Sequence, residues 1–115
     1  MNKIVLMPFN GDPMCFIHVL LNALDMKERG HEVIIVIEGA ACKLVGDMAT
    51  PGHMLNPLYT KAKDQGLIAG VCKACSAKLG ATEAVQAEGL PLIGDMSGHP
   101  SMAAFLEQGY EIITF

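Results

Sequence analysis

Five consecutive β-branched residues, Val33-Ile34-Ile35-Val36-Ile37, leave this chain few architectures. Branching at Cβ suits a pleated strand and disfavours a helix. A run with no polar alternation marks a strand covered on both faces, as strands are inside a parallel sheet. Parallel strands must be joined by crossovers, normally helices, so the flanking sequence should read as helical. It does. Asn10-Gly11-Asp12-Pro13, after the strand-like Lys3–Phe9, is a helix start with Asp12 as N-cap and Pro13 in the first turn. The spacing predicts a helix to about Arg29. Ile17, Leu20, Leu21 and Leu24 form its apolar face, Phe16, Val19, Ala23 and Met26 widen it, and Gly30 stops it.

The same alternation continues to the C-terminus. Ala40 to Val45 reads as a short helix, and Asn56-Pro57 starts another that closes at Gly66. Leu67–Val71 is a third strand, followed by a short helix over Cys72–Leu79 and a second, capped by Thr82, up to Gly89. Leu90–Ile93 is a fourth strand. The loop Asp95–Pro100 then feeds a helix with Met102, Phe105 and Leu106 turned inward, and Tyr110–Phe115 is the last strand. Strand and helix thus alternate five times with short connections. This pattern predicts one α/β domain over residues 1–115, a three-layer α/β/α arrangement around a mostly parallel five-stranded sheet.

Composition narrows the function. At 115 residues the chain is about one domain, and only 17% of it is charged. So little charge on so small a body predicts apolar surface hidden by self-association, hence a homo-oligomer. A net charge of −4 without a basic patch excludes a nucleic-acid partner. No apolar run approaches the ~20 residues of a membrane span, so no membrane partner is expected. The chain opens on a strand-like run, not a secretory signal, and its four cysteines read as reduced thiols, so a cytoplasmic location is expected.

In such sheets ligands bind beyond the carboxyl ends of the strands. The loops there carry Asn10, Gly11 and Asp12, then Glu38 and Gly39, then Cys72 and Cys75, then Ser97 and His99. Cys72 is the leading catalytic candidate. At a strand-to-helix junction, amide hydrogens and the helix dipole favour a depressed pKa and a reactive, partly exposed thiolate. Such a sulfur can attack, carry a sulfur atom, pair with Cys75 or bind a metal. Cys75 has the spacing of a dithiol partner, and equally of a core residue one turn above Leu79. Glu38, a carboxylate at a strand end, suits proton acceptance or anion repulsion. His99 reads as a helix cap in preference to a proton donor beside the thiol. No second Cys-x-x-Cys or Cys–His pair follows, so no metal site is expected; Cys15, Cys42, His53 and His99 would meet only through the tertiary fold. Neither a GxGxxG nor a Walker pattern exists, and no cofactor is expected.

Three stretches carry a family resemblance: Asn10-Gly11-Asp12-Pro13 after the first strand, Val71-Cys72-Lys73-Ala74-Cys75-Ser76-Ala77-Lys78-Leu79-Gly80, and the closing Leu92-Ile93-Gly94 with Gly109–Phe115. Over essentially its whole length the chain resembles the DsrE/DsrF-like family of small single-domain proteins, which includes TusD-type sulfur-relay subunits. The resemblance implies a parallel-sheet α/β/α fold, trimers or hexamers, sulfur donor and acceptor proteins as partners, and a cysteine, here Cys72, that carries sulfane sulfur as a persulfide. Cys75 departs from the sulfur-relay members, which usually lack a cysteine there. The departure keeps two alternatives open: a dithiol–disulfide redox protein using Cys72 and Cys75, and a non-catalytic oligomeric binding module.

Overall fold

In a computed structural model describing residues 1–115, the β-branched run lies in the second of five strands. The strands are β1 (Lys3–Met7), β2 (Glu32–Ile37), β3 (Ile68–Cys72), β4 (Leu92–Ile93) and β5 (Glu111–Thr114). They pair in the order β4-β3-β2-β1-β5, and every pairing is parallel. Six α-helices connect them: α1 (Pro13–Glu28), α2 (Leu44–Met48), α3 (Asn56–Asp64), α4 (Lys73–Lys78), α5 (Thr82–Ala87) and α6 (Met102–Glu107). A 3-10 turn over Gly39–Lys43 leads into α2. The expected parallel α/β fold is present. Asp12 caps α1 as the sequence predicts, its side chain accepting from the Met14 amide at 2.8 Å.

The layers are unequal. From β1 the chain steps to β2, β3 and β4 in one direction, and right-handed crossovers put the intervening helices on one face. That face holds the main core of 23 buried residues, in which Phe16, Val19, Leu20 and Ala23 of α1 join Tyr59, Ala62 and Val85. The last connection runs back across the sheet to β5, so α6 belongs to the opposite face. There only Val5, Met7 and Val36 are buried together, with Ile34, Phe105, Tyr110 and Ile112 packed partly over them.

This inequality explains where the sequence reading departs from the structure. Leu21 is 47% exposed, because the inward stripe of α1 is centred on Leu20 and the next residue lies about 100° further round. Met102 and Leu106 are also exposed, and no residue of α6 is buried, since nothing lies outside that helix. Only Phe105 turns inward, meeting Tyr110 edge-on at 6.0 Å between ring centroids. Thr82 is the first helical residue of α5, not its cap; the cap position is Ala81 and makes no side-chain bond.

Two local features tie the sheet and its helices together. A Cβ on Gly70 would lie 2.5 Å from Ile93 Cδ1 and 2.9 Å from the Pro91 carbonyl oxygen, so only glycine lets β4 approach β3 this closely. Gly70→Val is expected to destabilise the domain by about 1–3 kcal/mol, read as a lower urea midpoint; an unchanged midpoint would mean that β4 yields without cost. On the helical side, Tyr59 donates to Glu88 Oε1 at 2.7 Å and Lys63 bonds the same oxygen at 3.2 Å. These bonds, the tyrosine's foremost, hold the Glu88 carboxyl below its ordinary value. The associated stability is therefore complete above the unfolded-state value and disappears as pH falls through the lower folded one. Thermal melts should show Glu88→Gln less stable than the wild type at pH 7, with the gap closing in acid. A gap that stays constant with pH would remove the carboxylate from the account.

Candidate functional site

Cys72 ends β3 and caps α4, so one residue belongs to a strand and to a helix start. Its backbone is still extended (φ −56°, ψ 122°), and its Sγ accepts from the Cys75 amide at 3.4 Å. Its carbonyl oxygen receives the buried Ser76 hydroxyl at 2.7 Å, which secures the first turn. Cys75, one turn on, is thereby brought to the same side as Cys72.

Neighbouring strands supply the next group. Ile37 of β2 pairs with Val71 of β3, so the residues that follow, Glu38 and Cys72, leave the sheet side by side. Glu38 is 5% exposed, and a carboxylate oxygen of it lies within 4.8 Å of Cys72 Sγ. Its backbone amide donates to Pro8 at 2.9 Å, which fixes the strand end. The fourth group comes from the loop between β4 and α6. Gly98, at φ +93°, runs so close to α4 that a Cβ on it would lie 3.2 Å from Ala74 Cβ, and its carbonyl accepts from the Ala74 amide at 2.8 Å. This contact lays the loop against the start of α4 and sets His99 Nδ1 at 3.2 Å from Cys72 Sγ and 3.9 Å from Cys75 Sγ. Glu38, Cys72, Cys75 and His99 thus each present a polar atom within 4.8 Å of the others.

Burial dominates the electrostatics. Cys72 has no exposed surface, and the loss of hydration pushes its thiol up to about 12, against the amide of Cys75, which favours the thiolate. The Gly98 carbonyl oxygen lies 3.9 Å from the same sulfur. The expectation of a partly exposed thiolate with a depressed pKa is therefore corrected: the helix terminus is present, but the loop carrying His99 covers the sulfur. Glu38 is likewise raised, by burial first, with the neighbouring Cys72 and His99 opposing. Cys75 is only half-buried.

A cavity of about 390 Å³ opens beside this cluster, lined by Phe9, Glu38, Met96, His99, Pro100, Ser101, Met102 and Ala103. It reaches Glu38 and His99 from outside; the two sulfurs lie behind them. His99 is not the cap of α6. Ser101 is, its hydroxyl accepting from Ala104 at 3.2 Å, because the chain needs two further residues to reach the helix.

The remaining loop residues do local work. Asn10 Oδ1 accepts from the Asp12 amide at 2.8 Å, and Gly11 leaves room for Ala40 and Lys43. Gly39 adopts φ +52° against the Phe9 carbonyl, and Ser97 adopts φ +51° in the exposed turn before Gly98. Cys42 is buried next to the cluster, its Sγ donating to the Ile37 carbonyl at 3.7 Å, and Cys15 lies on α1. The sequence put Glu38 and His99 in loops at the same end of the sheet as the cysteines; what it left open is the direct approach of Glu38, and of His99, to the two sulfurs. The first follows from the β2–β3 adjacency; the second depends on the path of a loop and leaves no local signal.

Comparison with known proteins agrees with this fold. A model of the DsrE/DsrF-like family matches residues 6–115. An uncharacterized protein of Methanocaldococcus jannaschii is 36% identical over 96 residues, covering 84% of this chain and 76% of the relative. An uncharacterized protein of Archaeoglobus fulgidus is 41% identical over 39 residues, 34% of this chain and 64% of that one. Among solved structures, a conserved protein of unknown function from Bacteroides thetaiotaomicron superposes with a TM-score of 0.72 over 98% of this chain and 95% of its own, at 19% identity, a likeness of fold. On the strength of the match over nearly its full length, the chain belongs to the DsrE/DsrF-like family.

Proposed function

We propose that the protein accepts and passes on sulfane sulfur, with Cys72 as the carrying residue and Cys75 as a second thiol beside it. The observation that carries this reading is the meeting of both sulfurs with one imidazole nitrogen, at 3.2 and 3.9 Å, in a chain whose family is tied to sulfur relay. His99 is placed to take the Cys72 proton. The sulfur then attacks the outer sulfur of a donor persulfide: a new S–S bond forms on Cys72, the donor's S–S bond breaks, and the donor thiol leaves with a proton. The loop over Gly94–Pro100 must lift for this to happen, since Cys72 is closed off at rest. The cavity lined by Met96 and Met102 offers the donor an apolar approach.

Cys75 also supports a second reading. Its thiolate can attack the inner sulfur of a Cys72 persulfide, forming a Cys72–Cys75 disulfide and releasing hydrosulfide. The sulfane sulfur is then reduced and the dithiol oxidised. All four cysteines are free in the structure, in keeping with a compartment such as the cytoplasm. Self-association belongs to the same proposal, supported by the half-covered face under α6 and by exposed Leu106 and Ile113. Light scattering on purified protein should give a multiple of the 12.2 kDa chain mass; a monomer at micromolar concentration would remove this part.

Intact-mass measurement after chelator treatment and incubation with glutathione persulfide should show a gain of one sulfur atom, absent in Cys72→Ser. No gain, or a gain indifferent to that substitution, overturns the transfer reading. Cys75→Ser separates the two chemistries: a longer-lived adduct with less sulfide released identifies Cys75 as a resolving thiol, and an unchanged lifetime excludes it. Burial also orders the thiols. Limited alkylation with peptide mapping should label Cys15 and Cys75 well before Cys42 and Cys72. Early labelling of Cys72 would show that the covering loop is open in solution.

A further inference from the structure

Glu38, Cys72, Cys75 and His99 come from three separate segments of the chain, the end of β2, the β3–α4 junction and the loop before α6, yet their ligating atoms all lie within 4.8 Å of one another. Around a tetrahedral zinc ion, with Zn–S of about 2.3 Å and Zn–N of about 2.0–2.1 Å, sulfur and nitrogen ligands stand roughly 3.5 Å apart. The two sulfur–nitrogen distances here, 3.2 and 3.9 Å, fall on either side of that value. We propose that these four side chains form a binding site for a thiophilic divalent cation of the zinc class, closed by four protein ligands. The proposal goes beyond sulfur transfer and uses the same two sulfurs.

The donor set selects the ion. Two thiolates and an imidazole suit zinc, whereas magnesium and calcium require oxygen shells. Four protein donors complete a tetrahedron and leave no open position, the arrangement of structural sites. The Cys-x-x-Cys spacing puts both sulfurs on one side of a helical first turn, and the Cys75 amide already donates to Cys72 Sγ, an outer bond that steadies a ligating thiolate. Charge points the same way. Three of the four groups are acids in or beside the buried layer, and none of the chain's three ion pairs reaches them. On binding, each thiol gives its proton to solvent and the cation takes both sulfurs, with no change of oxidation state. The ion would tie the loop of His99 to the start of α4. It would also hold Cys72 away from any persulfide, so metal and sulfane sulfur exclude each other.

Cobalt(II) is the probe. Protein stripped with chelator under reducing, anaerobic conditions is titrated with cobalt and then with zinc. The expected result is one ion per chain, visible bands of tetrahedral intensity and a near-ultraviolet thiolate-to-cobalt band, all bleached by zinc. Cys75→Ser, a change at a half-buried position, should halve the near-ultraviolet band. Glu38→Gln and His99→Ala should weaken binding by at least about tenfold, and Cys15→Ser should change nothing. Circular dichroism confirms that each variant is folded. A pale octahedral spectrum, sub-stoichiometric uptake or a band indifferent to Cys75→Ser overturns the site. Zinc-loaded protein should fail to gain sulfur mass until chelator is added; undiminished gain in saturating zinc overturns the exclusion. The two readings fail separately: mass gain by stripped protein that binds no cobalt removes only the metal site, and cobalt binding without mass gain removes only sulfur transfer.

Discussion

A parallel strand can be reached only by a crossover, and a right-handed crossover chooses its side of the sheet by the direction in which it steps. Here three steps go one way, from β1 to β4, and one returns across the whole sheet to β5. The forward steps assign the first five helices to one face, where the large core forms. The return leaves the other face to α6, six residues long and without a buried side chain. The same return obliges the segment after β4 to cross the carboxyl ends of the strands. In crossing, it leans on α4 through the Ala74–Gly98 hydrogen bond and delivers His99 to the cysteines. The uneven layering and the chemistry at the strand ends therefore have one cause.

At Cys72 two general tendencies meet and oppose each other. A helix N-terminus stabilises an anion, though α4 has only six residues and the dipole's effect is typically 0.3–1 kcal/mol at exposed sites. Removing a thiolate from water costs more than such a terminus returns. With the loop closed, burial wins and the proton stays. With the loop lifted, water returns, and the Cys75 amide and His99 act on the sulfur together. The cover and the helix terminus thus provide a thiol that is quiet when shut and competent when opened, which suits a residue meant to react with one class of partner.

The parts of the fold that were legible in the sequence were those written within one element. The run Val33–Ile37 could only be an interior strand, Asp12-Pro13 could only begin a helix, and Cys72 falls at a strand-to-helix junction because Leu67–Val71 ends there. Errors arose where packing between elements decides. Leu21 fits the apolar face of α1 by periodicity but points past α3's edge, beside Leu58. Leu106 fits an inward stripe only if something covers both sides of α6. His99 looked like a cap because capping is local, whereas its distance to Cys72 depends on a loop 27 residues downstream. The thiol's pKa was misjudged for the same reason, since the motif specifies the helix terminus and says nothing of what lies over it.

Glu38 joins these strands of argument. A carboxyl group at 5% exposure, within 4.8 Å of a buried thiol and an imidazole nitrogen, has no packing purpose, and its position follows simply from standing one residue beyond the Ile37–Val71 pair. In sulfur transfer it can accept from the Cys72 thiol and restrain it while the loop is shut. In cation binding it is the fourth ligand, the one oxygen donor in an otherwise soft set. Both roles require the same thing: an acid placed beside two sulfurs with no lysine or arginine paired to it. A sheet that lines up the ends of β2 and β3 creates that juxtaposition, and the returning loop seals it. The chemistry of the site is in this sense a consequence of strand register, and changing the register by one residue would turn Glu38 to the other face and dissolve the cluster.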